Sequence, residues 1–422
     1  MTARRVTVSP LRDFFHAESA GGIVLVIATI TALVWANSPW KQSYFELWHT
    51  HLSIALGSHS VDLTLEQWVN EGLMTIFFLV VGLEIKRELV EGELRDPRTA
   101  ALPAIAAVGG MIVPALIYVA INAGGNGAGG WGIPMATDIA MAIGVVSLLG
   151  SRVPPSLKLF LLALAIVDDI GAIVVIAIFY SDSIHLVPLL VAVGFLLSVA
   201  GARLIGIRFV LVYVALGAGL WLALHDAGVH TTLAGVILGL MAPTRPFRQS
   251  ELVDEEALLD ISTVETAAET AMLARESVSV VEWMEHLLHP WTSFLIVPLF
   301  ALANAGIPIT STSVSNAFTS RITYGVVIGL VVGKLIGVVG ASWIATRLRV
   351  GTLPADATWR GIVGVGALAG IGFTVSLFVA GLAFDDEPVL QNEAKIGILA
   401  ASLIAAAFGS LILLRTPERE PA

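Results

Sequence analysis

The chain has 422 residues, of which 56% are hydrophobic and only 13% charged, about half the charge of an ordinary soluble domain. It contains no cysteine, which excludes disulfides and thiolate metal sites, and no basic run interleaved with aromatics, which excludes nucleic acid as a partner. The formal net charge of −10 is concentrated in one stretch, 244–289, rather than spread along the chain.

Apolar runs of the ~20 residues that a bilayer demands recur from end to end and do not alternate as barrel strands do. The expectation is an all-α polytopic membrane protein. Twelve spans are predicted in chain order, at 14–36, 66–84, 101–122, 131–150, 157–180, 186–201, 207–225, 228–243, 290–308, 323–346, 360–384 and 394–414. Together they make a single transmembrane domain over 14–414. Arg4, Arg5 and Arg12 before the apolar run from Gly21 resemble the start of a signal peptide. No small-x-small cleavage site follows, so an uncleaved first span is expected. Segment 244–289 holds ten acids, from Glu251 to Glu285, against Arg245, Arg248 and Arg275, and is expected to be a solvated acidic loop.

Basic residues test the span count. With twelve spans both termini share one side. That side collects nineteen of the 23 lysines and arginines, whereas the other holds Lys41, Arg321 and Lys395. The bias predicts cytoplasmic termini and a cytoplasmic 244–289 loop. Lys334 alone is left inside the membrane, beside glycines at 325, 329, 333 and 337 that form a stripe for close helix packing.

Two adjacent acids interrupt "ALAIVDDIGAIVVIAI" (163–178), and Asp138 lies in "GWGIPMATDIAMAIG" (130–144). Ionisable groups at such depth point to function. A buried ion pair accounts for Lys334 and one aspartate, but three acids against one base leave two carboxylates that must be protonated or hold a cation. Neighbouring helical residues point ~100° apart, so Asp168 and Asp169 face different partners. The economical arrangement gives one to Lys334 and the other to Asp138. Two carboxylates with the Thr137 oxygen and backbone carbonyls suit a small hard cation. Pro134 and the glycines of "GIVGVGALAGIGFTVSLF" (361–378) interrupt spans in corresponding parts of the two halves, as around a midplane site.

The segments "ATDIAMAIGV", "LALAIVDDIGAI", "FFLVVGLEIKREL", "GVHTTLAGVILG", "EHLLHPW", "LFALANAGI" and "GIGFTVSLF" resemble, in order, those of the NhaA-type sodium/proton antiporters. The resemblance runs over the chain outside its termini and loop 244–284. It implies twelve helices with inverted-topology repeats and two broken helices crossing at the midplane, an arrangement known for this transporter class. It also implies roles. Asp169 corresponds to the principal cation-binding carboxylate, with Asp138 and Thr137 close by, and Asp168 to the partner of Lys334. Asp138 and Lys334 would balance the helix-end dipoles of the broken helices. Glu84, Glu285, His286 and His289 correspond to positions linked to pH response at the cytoplasmic entrance. Glu71 stands where the family often has Asp, and loop 244–284 is longer and more acidic than the family pattern.

The resulting expectation is a transporter rather than an enzyme, without a cofactor. It would exchange cytoplasmic Na+ or Li+ for external H+ by competition for one site, electrogenically, with two protons per sodium, in pH and sodium homeostasis. It is expected as a multi-pass protein of the bacterial inner membrane. The resemblance also suggests a homodimer, through a hairpin in 38–65. Three rivals remain open on sequence. An intramembrane aspartyl protease lacks its G-x-G-D motif here, a sodium-coupled solute transporter lacks an evident aromatic or amide-lined pocket, and a passive channel fits poorly with tightly packed small-residue helices.

Overall fold

Residues 10–56, 59–181, 184–207, 209–244 and 278–415 are described by the structure, a computed structural model. The chain begins with α1 (Pro10–Ala36), the short α2 (Lys41–Trp48) and a hairpin of β1 (His51–Leu56) and β2 (His59–Thr64). Helix α3 covers 65–90, with a π turn at Trp68–Leu73, and is followed by α4 (Pro97–Asn122). Next come a 3-10 segment (Asn126–Met135), α5 (Ile139–Leu148), α6 (Pro155–Phe179), α7 (Leu186–Ile205), α8 (Val210–Ala227) and α9 (Thr232–Met241). Beyond residue 277 lie α10 (Val280–Asn304), α11 (Ser311–Thr319), α12 (Arg321–Arg347), α13 (Trp359–Leu368), α14 (Phe373–Ala383) and α15 (Pro388–Leu414).

Seven of these helices are long and apolar enough to cross a bilayer unaided: α4, α6, α7, α8, α10, α12 and α15. Two of the predicted spans are broken. The segment predicted as one span at 131–150 bends by 45° between Met135 and Ile139, and 360–384 bends by 44° between Leu368 and Phe373. The other predicted segments coincide with α1, with α3 and with α9. Helix α9 has only ten residues, about 15 Å of rise, so only part of the span expected at 228–243 is helical. The hairpin joins His51 to Thr64 and Leu56 to His59 in register, and so adds two strands to an otherwise helical fold. Within it the Ser53 hydroxyl donates to Asp62 at 2.5 Å and holds that carboxyl below its ordinary range, with His51 at 3.4 Å adding to the effect.

The breaks organise the fold. Helices α4 and α6 flank the first broken segment, and α12 and α15 flank the second, so each break sits in the middle of a helix triplet. In the count of twelve spans expected from the sequence, seven separate the start of one triplet from the start of the other. An odd number of crossings makes them run in opposite senses, which is an inverted repeat. By mutual contact the chain falls into two compact units. One comprises the described residues of 1–74, 96–182 and 293–422; the other comprises those of 75–95 and 183–292. Both triplets lie in the first unit. Most of the acidic stretch, 245–277, lies outside the described residues.

Close helix approach supports the first unit. The glycine stripe of α12 packs on α4: a β-carbon at Gly337 would fall on the Gly109 carbonyl, and one at Gly333 would lie 2.9 Å from the Pro114 Cα. Between helices in a membrane, such van der Waals packing replaces the hydrophobic drive of water. In the second unit Gly82 of α3 lies against Val236 and Gly239 of α9, and Ala192, Leu220, Ala223, Leu224 and Ala234 form a core.

Gly337→Val should therefore destabilise the purified protein by more than the about 1–3 kcal/mol of ordinary overpacking, because a backbone carbonyl cannot give way. Gly340→Ala, at a position with open space around it, should leave the melting temperature unchanged or slightly raised. Thermal denaturation in detergent compares the two, and equal melting temperatures would refute the packing assignment.

Candidate functional site

Both breaks expose backbone groups that a helix would otherwise pair, and the two breaks satisfy one another. The Asp138 amide donates to the Ile371 carbonyl at 2.7 Å, and the Thr137 hydroxyl donates to the Ala369 carbonyl at 2.9 Å. In return, the Ser376 hydroxyl donates to the Ile133 carbonyl at 2.8 Å. Carbonyls at the end of each first half are thus capped by a hydroxyl from the other broken segment. Leaving such groups unmet in hydrocarbon costs several kcal/mol each.

Asp138 closes the other ends. As the N-cap of α5, it accepts the Met141 amide on Oδ1 at 2.9 Å. Its Oδ2 accepts the Thr374 amide at 2.9 Å and the Thr374 hydroxyl at 2.5 Å, both from the first turn of α14. One carboxylate therefore receives donors from the N-termini of both half-helices, where each dipole presents roughly +0.5 charge. Together they offset about one negative charge. Asp138 is 1% exposed and Thr137 fully buried.

The adjacent acids on α6 face different ways. Lys334 donates to Asp168 Oδ2 at 2.5 Å, and both side chains are fully buried. Thr137 lies beside the same carboxylate. A π turn at Gly329–Gly333 ends immediately before Lys334, and such bulges shift the register of the face that follows. Asp169 is 5% exposed, more than its neighbour, and close enough to Lys334 to interact electrostatically. The structure thus brings Asp138, Thr137 and Asp168 to the crossing with Lys334, and places Asp169 beside them on α6.

The residues matched to pH response lie in the second unit. Glu285 on α10 is buried and paired with Arg87 of α3, which also approaches Glu88 at 3.6 Å. His289, one turn on from Glu285, interacts with it electrostatically, as does Glu282. Glu84 is half-buried on α3, whereas His286 is exposed and on a different face from Glu285. Arg87 is the partner that sequence patterning missed, since next to Lys86 at a span end it looks like solvated rim. Elsewhere, Glu71 is half-buried in the π turn of α3. Its neighbour Asn70 exchanges amide hydrogen bonds with Asn304, at 3.2 and 2.7 Å.

Two further residues differ from expectation or escaped it. Lys395, counted among the outer-side basic residues at the start of the span predicted at 394–414, is 6% exposed and lies well inside α15, which starts at Pro388, six residues before that span. Thr374 carries no signal in an apolar sequence, where a hydroxyl usually bonds its own helix. Only the position of the break makes it a ligand of Asp138. Thr374→Val should destabilise the protein by about 1.5–3 kcal/mol, the range for a hydrogen bond to a charged group, whereas Thr374→Ser should melt close to the parent. Equal loss in both variants would show that the hydroxyl is not what matters.

The sequence profile of the family described as Na+/H+ antiporter 1 matches residues 12–413. A Na(+)/H(+) antiporter NhaA from Cupriavidus necator is 48% identical, over 95% of this chain and 89% of the relative. Na(+)/H(+) antiporter NhaA 3 from Frankia alni is 45% identical over 100% of this chain and 92% of the relative. Na(+)/H(+) antiporter NhaA 2 from Sorangium cellulosum is 46% identical over 98% and 92% respectively.

Proposed function

Because the chain belongs to the Na+/H+ antiporter 1 family, we propose that it exchanges sodium, or lithium, for protons, as the names of its relatives say of them. The observation that carries this reading for the residues themselves is the charge balance at the crossing. Lys334 pairs with Asp168, and the N-termini of α5 and α14 meet at Asp138. The crossing thus gathers three carboxylates against one lysine, and Asp169, 5% exposed, is the more accessible of the two adjacent acids and stands where the family resemblance puts the cation-binding carboxylate.

Asp169 is therefore the principal ligand of the transported ion, with Asp138 and Thr137 contributing oxygen at the crossing. Burial raises carboxylate affinity for protons, and a neighbouring carboxylate raises it further, so sodium and protons compete for the same oxygens. If only the sodium-loaded and protonated forms change access, the two ions move in opposite directions without leak. Asp169 and Asp138 each take a proton as sodium leaves, which makes the ratio two protons per sodium and the exchange electrogenic. Each net charge then draws ~2.3 kcal/mol per 100 mV.

The biased arginines and lysines support cytoplasmic termini in the bacterial inner membrane, with sodium leaving the cytoplasm and a role in pH and sodium homeostasis. The Arg87–Glu285 pair with His289 supports a pH response on the same side as the termini. The exposed apolar Leu52 and Ile54 of the hairpin support a homodimer contact. The protein acts as a transporter and not as an enzyme, and needs no cofactor.

Sodium-driven pH change in proteoliposomes tests this. The parent should exchange, Asp169→Asn should be inactive, and Asp168→Asn should be weakened. Clamping the membrane potential should alter the parental rate. Normal exchange in Asp169→Asn would remove the proposed ligand. Exchange indifferent to potential would assign one proton, to Asp169, and leave Asp138 permanently ionised between the two helix ends.

A further inference from the structure

The ion site described above uses one buried lysine, but the first unit contains a second. Lys395 lies on α15 and is 6% exposed, and Glu66 of α3 is the acid that interacts with it electrostatically. Glu66 itself is half-buried in the first turn of its helix. The nearest acid on α15, Glu393, is occupied elsewhere: it accepts the Ser320 hydroxyl at 2.5 Å. Two residues apart on a helix, Glu393 and Lys395 point ~200° away from each other.

Lys395 is in helical register with the crossing. Seven residues further along α15, on the same face, the Ser402 hydroxyl accepts the Phe373 amide at 3.3 Å. The next residue, Thr374, gives both its donors to Asp138. Seven residues of helix rise about 10 Å, so Lys395 stands two turns from the backbone that holds Asp138. The same face is buried throughout, at Lys395, Ile398, Ser402, Ala405 and Gly409, so solvent does not separate the two positions along it.

We propose that Lys395 and Glu66 form an opposed charge couple that sets the sodium affinity of the crossing from a distance, with Lys395 weakening cation binding and Glu66 offsetting it. The magnitude is sufficient. At an effective dielectric of ~20, a unit charge 10–12 Å away changes the affinity for a monovalent cation roughly tenfold. Glu66, being half-buried, is screened more strongly and acts less. Neither residue touches the ion, so their effect falls on affinity and not on the turnover of the loaded carrier.

This inference rests on the sodium/proton exchange reading, and the experiment separates the two. Proteoliposomes of the full-length protein are assayed for sodium-driven pH change, and the KM for Na+ is followed to the limiting value it reaches once protons no longer compete. If the parent does not exchange, the functional reading itself fails. Given an active parent, Lys395→Met should lower the limiting KM by up to about tenfold at little change in kcat, and Glu66→Gln should raise it by a smaller factor. The double variant should have a limiting KM between those of Lys395→Met and the parent, because the weaker effect of Glu66 offsets that of Lys395 only in part. A merely structural role moves both single variants the same way and does not rescue the pair. Shifts of equal sign, or KM values unchanged in both, would overturn the proposal. Should Lys395→Met fail to fold, Glu66→Gln alone decides: an unchanged or lowered KM is incompatible with the couple.

Discussion

Everything else in this molecule depends on how two interrupted helices satisfy one another away from water. Hydrocarbon offers no hydrogen bonds, so irregular backbone inside a membrane survives only where other protein groups meet its free amides and carbonyls. Here each broken segment supplies what the other lacks. Thr137 caps the Ala369 carbonyl, Ser376 caps the Ile133 carbonyl, and the Asp138 amide reaches Ile371. The Asp138 carboxylate then draws in amides from both half-helices. A crossing built this way is simultaneously a structural joint and a concentration of charge.

The charges follow from the joint. Two helix N-termini favour an anion between them, which explains how Asp138 tolerates near-complete burial. A lysine on α12 is brought to α6 by the close glycine contacts of α12 with α4, and it neutralises Asp168. Removing either member of such a pair leaves an uncompensated buried charge, typically a penalty of about 3–5 kcal/mol. Asp169, one residue along and more exposed, also feels the Lys334 charge but is not its hydrogen-bonded partner. That inequality between two neighbouring aspartates gives them different surroundings, and the proposed division of labour between scaffold and cargo builds on it.

Much of this was legible in the sequence, for identifiable reasons. Charged residues in apolar runs stand out, so Asp138, Asp168, Asp169 and Lys334 were all visible, and the ~100° turn between neighbours required the two adjacent acids to diverge. The breaks were partly visible through Pro134 and the glycines around 370. Less was legible where chemistry is ordinary and only position makes it special. Thr374 looks like any hydroxyl in a span, and Arg87 like any arginine at a span end, yet each holds a buried carboxylate. Lys395, at the very edge of the span predicted at 394–414, reads from sequence as an outer-side charge, whereas the helix begins well before it, at Pro388, and buries it. Hydropathy also does not show how much of a span is helical: α9 covers only ten residues of the span expected at 228–243, where Gly235 and Gly239 press against α3.

The division of labour at the crossing is tested most directly by sodium-binding calorimetry on the purified protein. Titrations in buffers of different ionisation enthalpy count the protons released per sodium bound. The account predicts that the parent releases protons as sodium binds, and that Asp169→Asn shows neither sodium binding nor proton release. Sodium binding with undiminished proton release in Asp169→Asn would contradict it, and would move the carrier role to another carboxylate of the crossing.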